Sequence, residues 1–211
     1  MQTNIERALV LTWEYPPRVV GSIAPHCESL ARGMARKKVA VDVVTVDHWA
    51  EGIAKGTGKD RGITVHRAAN PISPCTSTLT WALTAGVELE RLAGDVIHAA
   101  KGKVDIIHAH DWAAIPAAVA LRHEFEIPMV LTLHSTETHR SGKVFTPYLD
   151  AIRKIEWQGT FEAEAVIVDT EQMREDVVEE YQIPERKVHV VEPGKRGWIN
   201  ALLKQYREAM P

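Results

Sequence analysis

The chain has 211 residues, 45% of them apolar and 25% charged, with a formal net charge of −3, enough to bury a full core and without the broad basic field that would steer it to nucleic acid or an anionic membrane. Its two cysteines, Cys27 and Cys75, stand in no metal-ligand spacing; no apolar run approaches the roughly 20 residues of a membrane span, and the opening MQTNIERALVL is not built like a signal peptide. The expectation is one soluble, cytoplasmic domain with reduced thiols and Cys27 in its core.

Residues 7–12 (RALVLT) read as a buried strand. The segment that follows, TWEYPPRVVGSIAPH, cannot be helical at Tyr-Pro-Pro, and Gly21 and Ser22 open a helix near residues 24–37. On it Ile23, Cys27, Leu30 and Met34 share a face at spacings of four, three and four. The start of this helix offers free N–H groups and a positive dipole end, which favour a phosphate or sugar oxygens. Strands are then predicted at 41–46, 62–67, 104–110, 129–134, 165–169 and 188–191, and helices at 79–100, 113–123, 145–160 and 171–181. Alternating elements, with Val and Ile on both strand faces, predict an α/β, Rossmann-like, doubly wound parallel sheet. Ligands of such a sheet bind outside the carboxyl ends of its strands, where strand order reverses. In the last segment Trp198, Leu202 and Tyr206 recur every four residues beside Ile199 and Leu203, giving a helix with one apolar stripe.

The stretch VDIIHAHDW, residues 104–112, carries the chemistry. His108 and His110 are two apart on a strand and so share a face, and TLHSTE brings His134 to the same rim. The plainer alternative is that one imidazole bonds a neighbouring carbonyl while Trp112 packs under the next helix. A metal could be drawn from His108, His110, Asp111, His134, Glu137 and His139, but the spacing is not His-Glu-x-x-His. His110 and Asp111 would moreover converge only if the strand ended between them. A dinucleotide site would use the first turn with Asp47 as its ribose acid, yet only Gly21 of a G-x-G-x-x-G fingerprint is present.

Four segments, TWEYPPRVVGSIAPHCESLARGMAR, VDIIHAHDWAAIPAAVAL, PMVLTLHSTETHRSG and EAEAVIVDTEQMREDV, resemble in order the N-terminal domain of GT-B glycosyltransferases, over residues 5–194. The glycogen and starch synthase group, in glycosyltransferase families 4 and 5, is the closest. The resemblance implies a retaining, metal-free transfer of glucose from a nucleotide sugar, ADP-glucose or UDP-glucose, to an α-glucan acceptor, with no resident cofactor. It implies His110 at the reacting centre. His108, Asp111, Trp112, His134, Glu137 and His139 are placed on the acceptor side, and Arg18, Gly21 and Ser22 in a donor-phosphate loop. Ser22 stands where the family has a second glycine, and ARKKVAVDVV lacks the Gly-His that ends the family's first helix. That helix is therefore expected to fray or end differently, at a cost of roughly 1 kcal/mol.

The family's second, donor-binding domain has no counterpart, because VHVVEPG is followed at once by KRGWINALLKQYREAMP. The pairs Glu156/Glu164 and Glu171/Glu179 imitate a family Glu-x7-Glu motif outside its context and receive no donor role. The expected organisation is an acceptor-side domain over 1–194 and a C-terminal helix over 195–211 packed back on it. Two functions stay open: the acceptor-binding half of a glycosyltransferase, inactive alone or completed by a separate donor domain, and a non-catalytic carbohydrate-binding or interaction module.

Overall fold

The computed structural model describes residues 4–46, 57–60, 62–69, 77–142 and 144–211. Asp47 and Cys75 lie outside the described residues. The strands are β1 (Arg7–Leu11), β2 (Ala40–Val46), β3 (Thr57–Asp60), β4 (Ile63–Ala68), β5 (Ile106–His110), β6 (Met129–Thr132), β7 (Ala165–Val168) and β8 (Val188–Val190). They form one sheet in the order β3-β4-β2-β1-β5-β6-β7-β8. All pairings are parallel except β3 on β4. From β1 the chain moves outward through β2 to β4, then returns to β5 on the other side of β1, so order reverses between β1 and β5. The doubly wound α/β expectation is met. The edge strand β3 was not foreseen, because TGKD has no apolar alternation and becomes a strand only by pairing with β4.

The helices are α1 (Ile23–Arg36), α2 (Thr78–Ala99), α3 (Ile115–Phe125), α4 (Glu137–Ser141), α5 (Pro147–Glu162), α6 (Glu171–Tyr181) and α7 (Trp198–Ala209). Strand alternation divides the core into two layers. Ala8, Val10, Val41, Val43 and Ile106 face α1 and α7. Leu9, Leu11, Val44 and Ile107 face α2, α3 and α6. Helix starts follow side-chain chemistry: Ser77, Thr136, Thr146 and Thr170 each accept a backbone N–H of the first turn. Cys27 is fully buried and its thiol is pushed up to about 12 by that burial, so it behaves as a small apolar residue.

The end of α1 corrects the expectation of fraying. Lys38 adopts the left-handed conformation at φ 66°, Lys38 N–H donates to Ala35 O at 2.9 Å, and Val39 N–H donates to Met34 O at 3.2 Å. These two bonds close a Schellman motif without its usual glycine, so the helix stops cleanly and a lysine carries the strain. Replacing the exposed Lys38 by Gly removes a left-handed Cβ, and Lys38→Gly should raise stability by about 0.5–1 kcal/mol. Urea unfolding at equal slope reads this directly, and an unchanged or lower midpoint contradicts it.

The final helix packs as its stripe predicts. Ile199, Leu202, Leu203 and Tyr206 are buried against α1 and the sheet, with Tyr206 fully enclosed. Gly33 lets α7 approach, since a Cβ there would collide with Ile199. Each large apolar side chain so buried contributes about 1.5–3 kcal/mol, so truncation after Gly194 should lower stability by several kcal/mol. A melting temperature unchanged by the truncation would refute that role.

Candidate active site at the carboxyl rim

The parallel strands end along one rim, and the reversal between β1 and β5 opens a crevice there. β5 delivers His108 and His110 to the α1/α7 side, and the turn after β6 delivers His134. The first turns of α1 add His26, which the sequence reading did not single out. Its ring centroid lies 4.7 Å from that of His134, 5.4 Å from that of His110 and 5.7 Å from the Trp198 ring. The only advance signal was its position, four residues past Ser22 on a helix that starts at the strand rim.

The histidines occupy two depths. His108 is fully buried, with Nδ1 2.6 Å from Tyr206 Oη and Nε2 2.7 Å from Thr132 Oγ1. Both nitrogens are satisfied inside the core, which leaves His108 no atom for the acceptor contact the resemblance implied. His110 lies against it in a tilted arrangement, ring centroids 4.2 Å apart, and is also fully buried, with the partly exposed His26 and His134 beside it. His110 Nδ1 sits 3.2 Å from His134 Nε2, while His110 Nε2 meets no partner among the described residues. Burial holds His26 down to about 4, and burial with His26 nearby holds His134 down to about 3. Burial first, then the neighbouring imidazoles, hold His108 and His110 well below the usual range. At pH 7 the three rings grouped at the rim and His108 beneath them are therefore neutral.

Strand β5 stops at His110, and Asp111 turns sharply at φ 63°, ψ 171°, a region nearly confined to glycine. The turn is held by Asp111 N–H donating to Thr132 O at 2.9 Å and by Ala114 N–H donating to Asp111 O at 3.2 Å. It sends the carboxylate away from the imidazoles towards Arg140, 3.9 Å off. Burial raises Asp111 to about 7, with Arg140 opposing and Glu156 reinforcing the shift. Arg140 also reaches Glu137 at 2.9 Å and the fully buried Glu156 at 2.6 Å. Tyr181 Oη donates to Glu156 at 2.6 Å and Glu137 N–H donates to it at 2.9 Å. Burial would lower the Arg140 guanidinium, but Asp111 and Glu156 outweigh it and raise it. Glu137 is thus a buried ion-pair partner, and Trp112 lies half-buried against the α2/α3 layer. His139 is exposed on α4 among Thr138, Gly142 and Glu179, away from His134. The Glu164 carboxylate lies elsewhere, accepting from Arg122 and from Met129 N–H at the opposite end of β6.

The loop between β1 and α1 departs from an open anion cradle. Val20 and Gly21 N–H both donate to Glu14 Oε2, Gly21 at 2.8 Å, and Glu14 is fully buried. A carboxylate already stands where a phosphate oxygen was expected. Arg18 is buried, its guanidinium 5.9 Å from the ring of Trp13 and 5.2 Å from that of Trp81. Burial lowers its pKa against the opposing pull of Glu14. Ser22 is exposed and makes no side-chain cap bond.

Residues 23–194 match the profile of Glycosyltransferase Family 4. The chain belongs to Glycosyltransferase Family 4. It is 36% identical over 192 residues to an uncharacterised glycosyltransferase from Methanocaldococcus jannaschii, covering 90% of this chain and 46% of that protein. It is 29% identical over 189 residues to glycogen synthase from Mycobacterium tuberculosis, covering 82% of this chain and 44% of that one. The chain therefore spans less than half the length of these relatives. Among solved structures, sucrose-phosphate synthase from Thermosynechococcus elongatus superposes with a TM-score of 0.73 at 14% identity, covering 89% of this chain and 48% of that one. A second chain of that protein matches over 97% of both chains, at a TM-score of 0.68 and 14% identity. These likenesses establish the GT-B half-fold. No helix among the described residues is long and apolar enough to cross a membrane.

The charge cluster sets a strong expectation. Arg140→Met leaves the buried Glu156 without its cation, but because Arg140 is itself 29% exposed and Tyr181 and Glu137 N–H still bond Glu156, the loss should be about 1–3 kcal/mol, short of a fully buried pair. Denaturant unfolding of Arg140→Met against wild type measures it, and a loss below about 1 kcal/mol would place the network in the surface class.

Proposed function

We propose that this chain is the acceptor-binding domain of a retaining, nucleotide-sugar-dependent glycosyltransferase of the glycogen synthase kind, acting in glucose transfer to an α-glucan. The observation that carries the reading is the convergence of His110 and His134 at the strand-order reversal of a Family 4 chain. The similarity to glycogen synthase over 82% of the chain supports the glucan assignment. Imidazoles held neutral above the buried His108–Tyr206 pair suit hydrogen bonding to sugar hydroxyls, and His110 Nε2, unpartnered among the described residues, reaches a sugar once His26 or His134 moves aside. The nucleotide sugar is co-substrate of the complete enzyme, and Gly21, Ser22 and Arg18 are its phosphate-side neighbours once Glu14 yields the loop N–H groups.

The chain alone does not complete the reaction on this reading. Transfer needs the donor held at near-attack distance and cations to stabilise charge on the leaving diphosphate. Among the described residues there is one sheet, Arg18 is enclosed by indoles and Arg140 is committed to carboxylates. A donor-binding domain therefore comes from outside these residues. The sucrose-phosphate synthase chain of matching extent supports treating this half as a foldable unit.

Two measurements test the proposal together. The purified chain should bind a maltooligosaccharide weakly, with binding lost in His134→Ala. With ADP-glucose or UDP-glucose added, it should give no elongated product above a His110→Ala control. Absence of glucan binding would remove the acceptor assignment, and elongation abolished by His110→Ala would show that the chain carries its own donor site.

A further inference from the structure

Helix α5 presses one side into the core, where a Cβ on Gly159 would collide with Ile115. Trp157 and Phe161, one turn apart, project from the other side and are 49% and 61% exposed. Their rings stack, with centroids 5.5 Å apart and planes at 18°. A single exposed apolar residue needs no explanation, but an indole and a phenyl ring paired beside a groove mark a surface that something covers.

The groove has a volume of about 680 Å³, and both rings line it together with Pro184 and Lys187. The Lys187 ammonium lies 5.9 Å from the Phe161 ring centre and donates to Phe161 O, which ties the phenyl ring to the turn before β8. Polar groups of both signs complete the lining. Arg122 on α3 reaches Glu164 at 2.7 Å and Glu162 at 3.3 Å, and all three side chains stay partly exposed along the groove. Glu164 directly precedes β7 and Lys187 directly precedes β8. The groove therefore lies at the opposite end of the parallel strands from His110 and shares no residue with the rim.

We propose that this groove is a second carbohydrate site, separate from the rim, that holds the body of an α-glucan. Its lining selects the ligand class. A phosphate or an anionic headgroup would meet the Glu162 and Glu164 carboxylates, while Arg122 is already paired with them and Lys187 is held on Phe161 O. A hydrocarbon would cover these ion pairs without replacing the water on them. A neutral pyranose meets both demands: its C–H face packs on the exposed indole, and its hydroxyls donate to carboxylates and accept from a guanidinium. The choice of an α-glucan among neutral sugars rests on the acceptor reading. Such a polymer repeats one sugar many times, so retaining it here raises the effective concentration of its ends at the histidine rim.

The test titrates the isotope-labelled protein with maltoheptaose and follows two indole N–H signals by NMR, each assigned through its Trp→Phe variant. Trp157 reports the groove, and Trp198, its ring centroid 5.7 Å from that of His26, reports the rim. Both signals should shift and saturate. In His134→Ala the Trp157 response should persist while the Trp198 response disappears, so the binding which that variant loses is the rim's. Trp157→Ala, at an exposed helix position, should keep the fold by circular dichroism and keep the Trp198 response. It should weaken retention of the protein in a soluble-amylopectin gel about fivefold. A Trp157 signal unmoved by maltoheptaose, or silent in His134→Ala, would overturn the proposal, as would gel retention indifferent to Trp157→Ala. Binding to phosphatidylglycerol vesicles that Trp157→Ala abolishes would also overturn it, by making this face a lipid surface. A silent Trp157 beside a responsive Trp198 leaves the acceptor reading intact, and the reverse refutes that reading and keeps this one.

Discussion

The 2.6 Å hydrogen bond between Tyr206 and His108 joins the last helix to the central strand. Strand β5 lies between β1 and β6 and carries two imidazoles on one face. Such a face would strand polar atoms in the core unless another element brought partners. α7 brings the phenol and β6 brings Thr132, so His108 can be buried without the penalty of an unpaired polar group. The ring then acts as a support against which His110 packs at a tilt, and His110 in turn stacks with His134. The tail helix therefore props the histidine rim from below.

A second balance operates beside it. Asp111, Glu137 and Glu156 are buried around Arg140, and the charge of the arginine keeps this concentration of acid from forcing the chain apart. The same cluster stabilises the Asp111 backbone where a residue with a Cβ is disfavoured. By turning the Asp111 carboxylate towards α4, the strained peptide separates an acidic compartment from a neutral histidine compartment only one residue away.

Much of this was legible in the sequence because it depended on period and order. Alternating apolar strands and amphipathic helices were enough for the doubly wound sheet, and the two-residue spacing of His108 and His110 for their shared face. The four-residue stripe from Trp198 to Tyr206 was enough for the packing of α7. What escaped depended on contacts between distant segments. His26 joins the rim only because α1 starts beside the carboxyl ends of β5 and β6, and no local pattern marks it. Glu14 sits in an apolar-aromatic stretch and folds back on its own loop, which spacing rules do not reveal. Depth was also hidden: period places His108 and His110 on one face but cannot say that the first is roofed by Tyr206. Lys38 escaped because a lysine in a left-handed cap is tolerated, not preferred.

The short link from Val191 to Trp198 turns on Gly194 and Gly197, both left-handed, and residues 192–197 are exposed. Because β8 is parallel to its neighbours, that link emerges at the same rim as His110. Its ends are close, and the core on either side is complete. Extra polypeptide entering there would leave the sheet undisturbed and would be anchored by two strands of chain rather than one. Anything so inserted would hang as a hinged cover above the histidines, able to swing towards them but not to drift to another face of the domain.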